Sequence, residues 1–410
     1  MKSSTLPKLL CAGFLLAANT QTFAQNNRAF AITGETKGNV AWTVVREIDL
    51  GTGAEVRTIY APSSKPTILD AVSGSRLQQS DKSVAAYNDK NSVTAPTETF
   101  VAASAYDLKT NRLFFTPMHS NELRYFDLNR GTNTVFYVRN TALKAFAETQ
   151  GEADVITRMC FGSDGYGYAL TNDGNHLIRF SSGEKITIVD LGQVQDGKNN
   201  NGISLRNMCT SWGGDMIADA FGNLYIISMK GNVFKMNPQT LVADFACQIK
   251  NLPQDYTINA AAVDALGNVV VGCASKTENY YSVNLSTLDA SVLPKQQQQV
   301  YNTSDLASCH FAYENLVNTP SVATKANVTV YPNPVINKTL NVSFDALKAG
   351  NHNVQITDAA GNSILCKTIN INGKTSTQIV LPKSSAGGMY LIKVTDSFGK
   401  EQYSGKVVVL

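Results

Sequence analysis

The stretch DAFGNLYIISMKGNVFKMNP, Asp219 to Pro238, decides the fold. Asp219 opens a turn that Gly222-Asn223 closes, because Gly takes positive φ without penalty and Asn tolerates it. Leu224, Ile226 and Ser228 then alternate with Tyr225, Ile227 and Met229, the period of a strand. Lys230-Gly231-Asn232 is a hairpin turn, Val233 to Met236 is the returning strand, and Asn237-Pro238 stops it. The grammar repeats at Asp264-Ala265-Leu266-Gly267-Asn268, and more loosely at Asp164-Gly165-Tyr166-Gly167 and Asp107-Leu108-Lys109-Thr110-Asn111. Asp107, Asp164, Asp219 and Asp264 are 57, 55 and 45 residues apart. That period suits one four-stranded sheet plus a variable loop, the blade of a β-propeller.

Working outward, Arg28 to Glu35, Trp42 to Leu50 and Glu55 to Tyr60 read as three strands of a first blade that lacks its fourth. The spare strand is Asp305 to Tyr313, so the ring is expected to close by pairing its two ends, which removes exposed edges. Pro62 to Glu98 is a long polar insertion, either a cover for one face or a surface excursion. Strands at 99–138, 155–191, 203–249 and 256–293 fill four more blades. The count is five, or six if the insertion hides one. Ala142 to Glu148 reads as a short helix. Glu314 to Asn327 is a polar linker. Seven short strands follow between Val328 and Val409, which suggests a small Ig-like β-sandwich. The fold class is all-β, with segments 1–24, 25–313, 314–327 and 328–410.

The chain has 410 residues, 16% of them charged, and a net charge of +3, so it carries no electrostatic footprint for nucleic acid. The N-terminus reads as a signal peptide. Lys2 and Lys8 precede the apolar run Leu9 to Ala18, and Thr22-Phe23-Ala24 offers cleavage between Ala24 and Gln25. The mature chain is expected to have no transmembrane segment. Six cysteines remain after cleavage, at 160, 209, 247, 273, 309 and 366. Their spacing is neither a disulfide framework nor a zinc site, and most are expected to be small buried hydrophobes.

The last segment resembles the C-terminal sorting domain of the type IX secretion system of Bacteroidetes. The residues are Val330-Tyr331-Pro332-Asn333-Pro334, Asn353 to Gly361, Gly387-Gly388-Met389-Tyr390-Leu391-Ile392-Lys393-Val394 and Lys406 to Leu410. The resemblance implies Tyr331, Pro332, Asn333, Pro334, Gly388, Met389, Tyr390 and Lys393 as sorting-signal residues. It implies partners in the secretion machinery and its sortase, and a secreted or cell-surface location reached through the periplasm. The Asp-x-x-Gly-Asn turns are similar to those of NHL-type propellers, a superfold that hosts lyases, hydrolases and binding modules alike.

For chemistry, the repeated aspartates bond their own turns and lie in separate blades, so no metal is expected from them. Asp196 to Gly202 is oxygen-rich but lacks the ligand pattern of a calcium loop. No cofactor or catalytic motif is found. His310 or Cys309 on the closing strand points toward the channel. Arg158-Met159-Cys160 and Arg206-Asn207-Met208-Cys209 look alike at the start of two inner strands, and Trp212 and Asp215 follow. Arg158, Arg206, Trp212 and Asp215 are the candidate ligand site, the Trp by stacking and the Arg by paired hydrogen bonds to a sugar or carboxylate. The alternative is that the arginines bond structurally between blades. The first functional reading is a surface binding protein for a glycan, peptide or protein. The others are a glycan-active hydrolase or lyase, which needs two facing carboxylates, and a surface-layer component.

Overall fold

The computed structural model describes residues 27–77, 94–120, 122–139, 143, 151–293, 299–314, 328–344, 349–372, 375–396 and 401–410. The signal-peptide reading, the helix expected at 142–148 apart from Leu143, and the linker beyond Glu314 lie outside them. The chain forms two compact units, 1–312 and 313–410.

In the first unit the described strands make five sheets, each built on four antiparallel strands. Blade one holds β1 (Arg28–Thr33), β2 (Val44–Asp49), β3 (Ala54–Tyr60) and, from the far end of the unit, β23 (Thr303–Ser308). Blade two holds β6 (Val101–Asp107), β7 (Arg112–Pro117), β8 (Leu123–Asp127) and β9 (Thr134–Val138), with a hairpin of β4 (Thr67–Asp70) and β5 (Arg76–Leu77) on its outer edge. Blade three is β10 (Ile156–Phe161), β11 (Gly167–Thr171), β12 (Leu177–Phe180) and β13 (Ile188–Gly192). Blade four is β15 (Asp215–Ala218), β16 (Leu224–Ile227), β17 (Asn232–Asn237) and β18 (Val242–Gln248), with β14 (Gln195–Asp196) outside it. Blade five is β19 (Ala260–Val263), β20 (Val269–Gly272), β21 (Tyr281–Asn284) and β22 (Asp289–Val292). The inner strands neighbour one another in the order β23, β6, β10, β15, β19 and back to β23, which is a closed ring.

Closure follows the expected device. β23 pairs with β1, Phe30 opposite Ala307 and Ile32 opposite Asp305. It ends at Ser308, however, and not at Tyr313. The next residues cross to blade four, where Ala312 pairs between Ala218 and Ala220. The insertion after Pro62 contributes no sixth blade among the described residues. Its start lies parallel on β9 instead. The same solution recurs where β14 lies parallel on β18 and Lys250 bridges Asp289 at the edge of β22. Each of these three connections runs along the next blade's outer edge before turning inward, which gives that edge's free N–H and C=O groups a partner.

Side-chain size follows distance from the axis. Inner strands are buried along their whole length and carry small residues where blades crowd, as in Ala260-Ala261-Ala262-Val263. Farther out the gap widens and aromatics fill it. Phe114 on β7 packs on Tyr125, and on Phe161 and Phe180 of blade three, with ring centroids 5.1, 5.7 and 5.2 Å away. The outermost strands have one wet face, and β18 alternates accordingly.

The aspartate turns are local chemistry. Asp219 accepts from the amides of Phe221 and Asn223 at 2.9 and 2.8 Å and from Asn223 Nδ2 at 2.9 Å. Asp264 does the same with Leu266, Asn268 and Asn268 Nδ2 at 2.9, 2.8 and 3.2 Å. Gly222 and Gly267 sit at φ 87° and 81°, which a side chain would strain. The second unit repeats the turn at Asp358 with Ala360 and Asn362. Asp264→Ala removes three such bonds and is expected to cost about 2 kcal/mol, read as a lower urea midpoint at unchanged m-value.

The second unit is a sandwich of seven strands. One sheet orders β24 (Val328–Tyr331), β25 (Thr339–Phe344) and β28 (Thr375–Val380). The other orders β27 (Ser363–Ile371), β26 (Gly350–Asp358), β29 (Gly388–Asp396) and β30 (Glu401–Val409). Leu340, Val342, Phe344, Ile356, Ile392 and Val409 are among its buried core.

Candidate functional site

Each inner strand pairs on its outer side only, so its axis-facing edge has no strand neighbour. Five such edges around an axis still need hydrogen-bond partners once water is excluded. Polar side chains of the inner strands supply them. Asp215 accepts from the amide of Ala261 on the neighbouring inner strand at 2.7 Å and from Met216 N at 2.7 Å. Ser308 Oγ both accepts from Val263 N at 3.1 Å and donates to Val263 O at 2.7 Å. Ser304 Oγ donates to Val101 O at 2.7 Å, and Ser104 Oγ donates to Asp305. The buried Asp305 and Asp215 carboxyls lie close enough for the charge of one to act on the other. Four inner strands thus contribute polar side chains to one plug across the ring, and β19 contributes backbone amides.

Arg158 belongs to this plug. Its Nε and Nη2 donate to Gly213 O at 3.0 and 2.9 Å, Nη2 to Ser211 O at 2.6 Å, and Nη1 to the carbonyls of Thr171 and Asn172 at 3.2 and 3.3 Å. It ties blade three to the loop that leads into blade four. Burial pulls its pKa down to about 10, against the Asp215 and Asp173 charges that raise it, so it is charged at neutral pH.

The structure therefore splits the four residues read as a ligand site. Arg158 and Asp215 are both 0% exposed and spend their hydrogen bonds inside the chain, which corrects the expectation that they meet a ligand. Arg206 and Trp212 lie together nearer the surface, with Trp212 Nε1 donating to Arg206 O at 3.0 Å and Arg206 Nη2 to Val194 O at 2.7 Å. The likeness of the two Arg-containing segments is one of sequence alone. Arg158 to Cys160 is strand, while Ile203 to Gly214, expected as strand, is a run of turns. Gly213 and Gly214 at φ 65° and 85° swing the chain into β15, and a Cβ on Gly214 would meet Ile227 O at 1.8 Å.

Open space lies on the other side of the plug. Tyr106, Cys160 and Ile217, two residues beyond Ser104, Arg158 and Asp215, line a pocket with Ala262 and Ser308, and His310 also faces it. Its cavity volume is about 20 Å³, room for about one water molecule, below an open mouth. Of the two alternatives for the closing segment, His310 is the one at the channel, while Cys309 packs on the apolar cluster around Phe30. Burial, then the nearby carboxylates, push the Cys160 thiol up, which keeps it protonated. The other cysteines correct the sequence reading in part. Cys273 is buried, but Cys209 and Cys366 are exposed, and all six are free thiols. Asn200, in the oxygen-rich loop, bonds Ala243 O and Phe245 N and so serves the fold. Among the described residues no group of three His, Cys, Asp or Glu is placed to hold a metal, and no helix is long and apolar enough to cross a membrane.

In the second unit the sorting-motif residues come together. Asn333 Nδ2 donates to Lys406 O and Asn333 Oδ1 accepts from Val408 N, both at 2.9 Å, so the Tyr-Pro-Asn-Pro segment is pinned on the terminal strand. Both peptide bonds before Pro332 and Pro334 are cis. Tyr390 is buried with its hydroxyl on Ala386 O at 2.6 Å, whereas Tyr331 and Met389 stay exposed.

Residues 329–410 match the family described as the secretion system C-terminal sorting domain. This unit is a type IX secretion sorting domain, and the protein is exported to the cell surface or the extracellular space. A search of curated protein sequences returns no match. Among solved structures, PorZ, a surface component of the type IX secretion system of Porphyromonas gingivalis, is similar at 14% identity and a TM-score of 0.31, covering 93% of this chain and 51% of PorZ. The chain thus spans about half of PorZ's length. A Bacteroides thetaiotaomicron protein of unknown function is similar at 11% identity and TM-score 0.38, over 69% of this chain and 71% of that one. Virginiamycin B lyase of Staphylococcus aureus follows at 9% identity and TM-score 0.29, over 76% and 85%. Likenesses at this level leave the functional reading to this chain's own residues.

Proposed function

We propose that this exported propeller is an extracellular binding protein that holds a small polar group, such as a glycan end or a peptide side chain, at the mouth of its axial pocket. The observation that supports the reading is the pocket itself. The ends of five inner strands converge there with axis-facing backbone edges, and His310 adds a side-chain polar group. Such a rim offers hydrogen bonds from a rigid frame, which favours recognition. The hydrolase or lyase alternative needs an accessible pair of carboxylates. The facing pair among the described residues, Asp215 and Asp305, is sealed from solvent.

The test is binding of the purified full chain to a panel of polysaccharides, mucins and peptides. His310→Trp, which fills the mouth, is expected to weaken binding at least about tenfold, worth about 1.4 kcal/mol. Arg206→Ala, on the opposite face, is expected to leave it unchanged. Loss in Arg206→Ala with full binding by His310→Trp would move the site to the face that carries Arg206 and Trp212 and sink the pocket reading.

A further inference from the structure

The plug contains more acid than its hydrogen bonds and the Arg158 guanidinium accommodate. Asp215 and Asp305 are both 0% exposed, and the Asp305 charge acts on Asp215. Asp215 is well supplied with donors, the amides of Met216, Ala261 and Leu306. Asp305 takes the Ser104 hydroxyl and amide on one side, but its Oδ1 is buried with no donor. Two neighbouring carboxyl groups out of water need a proton on one of them, because both cannot carry charge there. A lone-pair oxygen left without a donor in a water-free site needs the same thing.

The other groups facing the pair fix the charge balance. β10 presents Arg158, fully engaged with carbonyls, and Cys160, whose thiol stays protonated. Asp173 faces Arg158, and Asp164 faces Cys160, from the surrounding loops. β6 presents Ser104, with Tyr106 and Asp107 toward its far end. β15 adds no other ionisable group, and β19 presents alanines and a valine. β1, which pairs with β23, places only Arg28 at its opposite end. The guanidinium that these strands bring to the axis thus faces Asp215 and Asp173, and Asp305 adds a further buried carboxyl that a proton neutralises.

We propose that Asp215 and Asp305 share a proton at neutral pH and that this proton latches the closing strand β23 into the ring, making the propeller's closure sensitive to alkaline conditions. Asp305 lies on the strand that joins the two ends of the ring, and its neighbours Ser104 and Asp215 lie on the inner strands of blades two and four. Loss of the shared proton places two like charges side by side out of water, and the strand free to move away is β23.

The direction in pH follows from linkage. Burial raises Asp305 to about 7 despite the Ser104 hydrogen bonds, and burial and the Asp305 charge raise Asp215 well above the ordinary carboxylate range. The folded ring therefore holds protons that the unfolded chain has released. Its stability falls as pH rises from the ordinary carboxylate value through about 7 and onward, up to about tenfold in the unfolding constant per pH unit for each proton.

Two measurements on the full chain decide this. An infrared spectrum at neutral pH is expected to show the carbonyl band of a protonated carboxylic acid that disappears in Asp305→Asn. Urea unfolding between about pH 6 and about pH 9 is expected to show the unfolding constant rising at least about tenfold more in the wild type than in Asp305→Asn. There an amide replaces the carboxyl and has no titrating proton. Asp215→Asn is expected to behave likewise and stands in if Asp305→Asn fails to fold. No protonated-acid band in the wild type, or equal pH slopes in wild type and a folded Asn variant, overturns the proposal.

Discussion

A chain ended after Asn302 is expected to lose its cooperative fold and aggregate, whereas one ended after Glu314 retains it. The difference is β23 and the residues that anchor it. β23 makes five register pairs with β1 and supplies the inner strand of blade one. At about 1 kcal/mol per hydrogen bond and about 2–3 kcal/mol for burying Leu306, its loss is comparable with the whole stability of a domain, about 5–15 kcal/mol. Truncation also bares β1, whose Ala29 to Thr33 are buried, as an apolar edge open to pairing with another chain. The plug goes with it, since Asp215 loses Asp305 and Ser104 loses its acceptor. Circular dichroism melts and size-exclusion profiles of the two chains check this. A monomeric chain ended at Asn302 with a sharp melt would mean that closure is dispensable.

The second large effect is expected from Arg158→Ala, at about 3–5 kcal/mol of stability. Truncation strands the carbonyls of Ser211, Gly213 and Asn172, and leaves Thr171 O with the Gly174 amide alone. It also takes the positive charge away from the Asp215 carboxyl. Arg206→Ala, half-buried with one acceptor in Val194, is expected to cost about 1 kcal/mol or less. Urea midpoints of the two variants give the comparison. If Arg158→Ala proves as stable as the wild type and instead loses ligand binding, the residue belongs to a binding site and the inter-blade role is wrong.

The two arginines show how far a motif reads. Both segments carry Arg, Met and Cys in similar order, and strand pattern alone gives them the same place. One became strand and the other turns, because Gly213 and Gly214 reset the chain direction after the second. Seven strands of the sorting domain, by contrast, were legible almost residue for residue. Alternation there reports one buried and one wet face of each sheet, a pattern that needs no knowledge of distant contacts. The strands added at the outer edges were not legible. β4, β5 and β14 are two to four residues long and held by edge hydrogen bonds, too short for an apolar period to mark them.

Sequence by itself determined what lies within a few residues: the aspartate turns, the strands between them, the repeat that makes blades, and the sorting motif. Those features rest on backbone preferences and nearest-neighbour hydrogen bonds, which a short window contains. Tertiary structure alone decided that Asp215 meets Asp305, that Ser104 reaches across 201 residues to the same group, and that the open pocket lies beyond them. Convergence on an axis depends on how many blades the ring has and where it closes. That is settled by how the buried faces of all five sheets pack together, and no local period encodes it.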